Sequence, residues 1–95
     1  MKIVINDCCG GFSLSTRAVK MLNELGKTDC LGIDRTDTDL IVLVEKKGTE
    51  FASGRYAKLK VVEIPDEATD WEIDEHDNGY EEIIAVVNGK IKHFY

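Results

Sequence analysis

The stretch "DRTDTDLIVLVEKKG", residues 34–48, decides the fold. Its centre, Leu40 to Val44, is an unbroken apolar run in which Ile41, Val42 and Val44 are β-branched. On that content alone, a strand over residues 39–45 competes with a helix. The flanks favour the helix. Thr36 or Asp37 offers an N-cap, aspartates precede the run and Lys46 and Lys47 follow it, as the helix dipole prefers. Gly48 then stands where a left-handed stop belongs.

On the N-terminal side, Lys2 to Asn6 reads as a strand with apolar residues on both faces, hence interior. A loop runs from Asp7 to Leu14. Ser13 or Ser15 caps a first helix whose buried stripe is Ala18, Met21, Leu22 and Leu25, stopped by Gly26. Cys30, Leu31 and Ile33 suggest a short extended piece. Beyond the second helix, Thr49 to Gly54 reads as a loop or frayed turn, and Tyr56 to Ile64 as a strand ending at Pro65. Trp71 and Ile73 alternate with Glu72 and Asp74 in a strand with one wet face. Asp77-Asn78-Gly79 and Asn88-Gly89 are hairpin turns on either side of a strand through "YEEIIAVV", and "KIKHFY" closes a meander.

The predicted order is β-α-α-β-β-β-β in one domain, residues 1–95. This is an α+β two-layer sandwich: a mixed sheet of four to five strands, helices on one face and the first crossover parallel.

The chain is 43% hydrophobic and 32% charged, with a net charge of −6, an ordinary globular balance. The charge is unevenly placed. Residues 1–60 carry ten Lys/Arg against eight Asp/Glu, whereas Val61 to Gly89 holds ten Asp/Glu and no Lys or Arg. Phosphate backbones would be repelled by this half, so direct nucleic-acid binding is not expected. The first residues lack the apolar run of a signal peptide and no later segment is long enough to span a bilayer; a cytoplasmic protein with no membrane contact is expected. Three cysteines, two of them adjacent, read as free thiols. Cys8, Cys9, Cys30, His76 and His93 lack the paired spacing of a structural zinc site, and neither metal nor cofactor is expected. Asp34, Asp37 and Asp39 likewise miss the EF-hand pattern and read as helix-start carboxylates.

The loop "CCGGFSLS" carries most of the functional question. At its plainest, Gly10 and Gly11 supply positive φ for a tight turn, with Phe12 or Leu14 plugging the helix end. Alternatively, it precedes a helix N-terminus, where free amides favour an anion. Cys8, Gly10, Gly11, Ser13 and Ser15 would then form the cradle, and Arg17, Arg35 and Arg55 would steady the ligand, with Arg35 and Arg55 suited to forked contacts. No Walker or dinucleotide fingerprint is present. A third reading makes Cys8 a nucleophile near a helix start, with a histidine still to be found as its base.

"MKIVINDCCGGFSLS", "DRTDTDLI", "SGRYAKLKVVEIPD" and "DWEI" together resemble a family of small uncharacterised proteins of tailed phages, prophages and bacteria. The resemblance spans roughly residues 1–75. That family usually has an aromatic residue at Cys9, glycine at Ser13 and proline at Thr38. The proline implies a helix starting near Thr38, and Cys8 is the family-like thiol.

The resemblance implies a phage or prophage context without naming an activity. The leading expectation is therefore a non-enzymatic module that binds a host or phage protein, including the case of an inhibitor of a nucleic-acid enzyme. A nucleotide or other small anionic ligand at Gly10–Ser15 is the alternative. Neither partner nor oligomeric state is specified by the sequence.

Overall fold

The computed structural model describes residues 1–30 and 32–95. Strand β1 (Lys2–Asn6) is followed by helices α1 (Thr16–Glu24), α2 (Thr38–Lys47) and α3 (Thr49–Ala52). Strands β2 (Leu59–Glu63), β3 (Ala68–Glu75), β4 (Glu81–Val87) and β5 (Lys90–Phe94) complete the chain.

The α+β class and the order of the main elements are as expected. The strands, however, divide into two antiparallel sheets, β1-β2 and β3-β4-β5, in place of one mixed sheet. The reason lies in the helical return. The Leu14–Ser53 bridge and the bond from Gly54 N to Ser13 O bring the chain back to the end of β1 where it left. Asp7 N then donates to Lys58 O, and Lys58 N to Asn6 Oδ1. A chain returning at the same end must run back alongside, so β1 and β2 pair antiparallel from Lys2–Glu63 to Asn6–Leu59.

This ribbon is the middle of the molecule. Val4 and Leu59 face the helices and pack with Ala18, Leu22, Leu40 and Leu43. Ile3, Ile5, Val62 and Ile64 face the other way, onto Ile83, Ala85 and Val87 of β4. Period-two alternation therefore feeds two cores at once, which is why β1 is apolar on both faces.

Residues 38–47 are helical. Asp37 Oδ1 accepts from the amides of Asp39 and Leu40 at 2.9 and 3.1 Å, and Lys27 Nζ lies 2.9 Å from Oδ2. Capping and dipole therefore outweigh β-branched content here. Burial pushes the Asp37 carboxyl up, but the bonds from Lys27 and the helix amides outweigh it and hold the group below its ordinary 3.8. Such stability is present above the unfolded value and fades as pH falls through the lower folded one. Asp37→Ala is expected to cost about 1–2 kcal/mol at pH 7. The gap from wild type should close below pH 3.8, as urea titrations at several pH values would show.

Several expectations need correction. Leu25 is the C-cap of α1 and is 58% exposed, so it does not belong to the buried stripe. Thr49 to Ala52 is a short helix. Strand β2 begins at Leu59, three residues after the exposed Tyr56. Cys30 and Ile33 lie outside any strand, and Leu31 falls outside the described residues. Ser15 is the cap of α1, accepting from Ala18 N at 3.0 Å. Asn88 and Gly89, at φ 53° and 76°, make the left-handed pair that a two-residue hairpin requires.

Candidate functional site

Two regions hold chemically capable side chains: the corner where the 7–15 loop meets the 76–80 turn, and the outer face of the β3-β4-β5 meander. The corner is built on Asn6, fully buried at the end of β1. Its Nδ2 donates to Cys8 O at 2.7 Å and to Gly79 O at 2.9 Å, while Oδ1 accepts from Lys58 N. One amide side chain thus ties the loop, the turn and the entry to β2 together, with both amide hydrogens and the carbonyl oxygen engaged.

The neighbouring carboxylate is Glu81, whose side chain is 2% exposed. It accepts from Asn6 N at 2.8 Å and meets Arg35 in a two-pronged contact, Nη1 to Oε1 at 2.7 Å and Nη2 to Oε2 at 2.9 Å. Nη1 also reaches Val4 O at 3.3 Å, and the guanidinium lies 3.6 Å from the centre of the Phe12 ring. Arg35 O accepts from Val4 N, so the same residue covers the edge of β1 that β2 leaves open.

The loop glycines are engaged as well. Gly10 N donates to Asn78 O at 2.8 Å. Gly79 approaches so closely that a Cβ on it would lie 2.3 Å from Gly11 N. Gly10 and Gly11 have φ of 113° and 86°, the positive values of a tight turn.

The eight residues expected at an anion site are dispersed. Cys8 and Arg55 share a surface depression of about 520 Å³ with Lys58 and the carboxylate of Glu50. Ser13 borders a different cavity of about 380 Å³ with Phe12, Leu14 and Val19. Ser15 is occupied as a helix cap and donates to Phe51 O. Arg17 is exposed on α1, and Arg55 lies 5.5 Å from the Tyr56 ring centre. Arg35 is held by Glu81 on the inner side of the meander. Phe12 stacks on that guanidinium as well as packing on the helical core. The parallel-strand geometry that would aim such a loop at a ligand is absent, because β1 and β2 are antiparallel.

Cys9, with the neighbouring Cys8 and Asp7 and partial burial, raises the Tyr80 phenol above its ordinary 10.0. The two imidazoles meet Glu82: His93 Nδ1 and His76 Nε2 lie 3.1 and 3.6 Å from its Oε1.

No protein-family model, curated protein or solved structure matches the chain.

The meander supplies the second region. Ile83, Ala85 and Val87 turn inward, so Glu82, Ile84 and Val86 turn outward. Pairing sets Asp74 beside Glu82, Glu72 beside Ile84 and Asp70 beside Val86 on β3. On β5, His93 pairs with Ile84 and Ile91 with Val86. The outer face is thus an acidic row along β3, an apolar centre on β4 and Ile91, 69% exposed, on β5. Within the meander, Glu75 and Glu81 are register partners on the side opposite to Asp74 and Glu82, and of the two it is Glu81 that is buried. Its phase with Ile83, Ala85 and Val87 is the available sign, because that alternation turns it inward and a buried carboxylate demands a cation.

Among the described residues, no helix is long and apolar enough to cross a membrane.

Proposed function

We propose that the protein is a non-enzymatic binding module that contacts a protein partner through the outer face of β3-β4-β5. One observation carries this reading: Asp70, Glu72 and Asp74 flank an apolar centre of Ile84, Val86 and Ile91 on a face that no other described element of the fold covers. Apolar surface bordered along one edge by negative charge suits a partner with a complementary basic edge, with the charges steering encounter and the apolar centre supplying burial. The positively charged groove of a nucleic-acid enzyme has that character, so an inhibitory role fits the same surface. A cytoplasmic phage or prophage setting belongs to this proposal and rests on the sequence resemblance.

The test compares wild type with Asp70→Lys/Glu72→Lys as baits in bacterial lysate, at low and at high salt. A partner captured by wild type, lost with the variant and weakened by salt is the expected result. Identical capture by both baits, or no capture at low salt, would remove the outer face from consideration.

A further inference from the structure

At the end of the outer face nearest the His76–Tyr80 turn, side chains of metal-ligating type converge. Asp74 and Glu82 are register partners on β3 and β4, projecting to the same side. His76 follows Asp74 by two residues and extends the ladder, its N–H donating to Tyr80 O at 2.7 Å. One ligand atom from each of Asp74, His76 and Glu82 lies within 4.8 Å of the other two. His93, arriving from β5, adds its Nδ1 at 3.1 Å from Glu82 Oε1.

This differs from a plain acidic strip in its donors and in its electrostatics. Carboxylates facing each other across a strand pair repel, and no Lys or Arg occurs between Val61 and Gly89 to offset that pair from the same strands. The groups set beside it are two imidazoles, which ligate metals through a neutral ring nitrogen. A mixed imidazole and carboxylate set favours zinc and its neighbours over magnesium or calcium, which take oxygen alone. A spacing test built on cysteines passes over such a site, because its donors are carboxylates and histidines on different strands.

We infer that Asp74, His76 and Glu82 form a binding site for a divalent transition-metal ion of the zinc type. Water completes the coordination, and His93 acts as a positioning residue that orients Glu82. The three ligands come from one short hairpin whose turn is fixed by Gly79 N donating to His76 O at 2.8 Å. The inference is independent of whether the outer face binds a protein.

Calorimetric titration of the full chain with zinc chloride tests it. One-to-one binding is expected, weakened about 100-fold by His76→Ala and about tenfold by His93→Ala, in keeping with losses at ligand and outer-shell positions. Both histidines are half-exposed, so these variants should fold. Cys8→Ser/Cys9→Ser serves as control, since adjacent thiols also take zinc, and it should bind as wild type does. Unchanged affinity in His76→Ala, loss of binding in the thiol variant alone, or no binding at tenfold excess zinc would each overturn the assignment.

Discussion

Arg35→Ala should be the most damaging single substitution of a polar side chain in this protein, costing about 3–5 kcal/mol. That is the usual penalty for stripping the partner from a buried carboxylate. The Glu81 side chain is 2% exposed, and without Arg35 its charge keeps only the Asn6 amide at 2.8 Å. Further losses add to this, since the guanidinium also bonds Val4 O and stacks on Phe12. Set against a total stability of about 5–15 kcal/mol for a domain, the loss is large. The melting temperature should fall by on the order of 15–30 °C for a chain of this size. Arg35→Lys should recover little, because an ammonium cannot make the forked contact or the planar stack.

The double variant Arg35→Met/Glu81→Leu separates the pair's worth from the cost of breaking it. Replacing both charges with apolar groups of similar size is often close to neutral, but here Glu81→Leu also leaves the buried Asn6 N–H without its acceptor, so part of the lost stability should return and about 1–3 kcal/mol should stay lost. Urea unfolding of wild type, Arg35→Ala and the double variant measures this directly. A loss below about 1 kcal/mol in Arg35→Ala would mean that the pair behaves as a surface contact.

This latch also shows where the sequence is legible and where it is not. The helix over residues 38–47 is readable because its determinants are local: Asp37 before it, Lys46 and Lys47 within it, Gly48 after it. The hairpin at Asn88-Gly89 is readable for the same reason. The direction of β2 is not, because it depends on contacts between Ser13–Leu14 and Ser53–Gly54, distant in the chain and chemically bland. The position of the glycine loop is legible, but its environment depends on Asn6 and Gly79, whose side chain and backbone meet only in the folded molecule. Arg35 stands out in the sequence for its fork-shaped donors; what it grips is a glutamate of the same chain.

Gly79→Ala is the second substitution expected to have a large effect, and it probes the joint between loop and turn. Gly79 has φ 94°, and an added Cβ would stand 2.3 Å from Gly11 N, 2.7 Å from Gly10 N and 3.0 Å from Gly10 C. All three neighbours are backbone atoms, so no side-chain rotation can make room. Left-handed strain of about 1–2 kcal/mol adds to a crowding cost of similar size. A total of about 3 kcal/mol is expected, or separation of the turn from the loop with loss of the Gly10 N to Asn78 O bond. Gly11→Ala is the matched control. Its φ is 86° and nothing lies within 4 Å of the point where its new methyl group would stand, so only the conformational penalty of about 1–2 kcal/mol applies. The difference between the two variants therefore isolates the close approach of the two backbones. Hydrogen exchange at the Gly10 amide should quicken in Gly79→Ala beyond what the change in global stability explains, and in Gly11→Ala it should not. Equal destabilisation and equal exchange in both would show that the turn rests on the loop without being held by it.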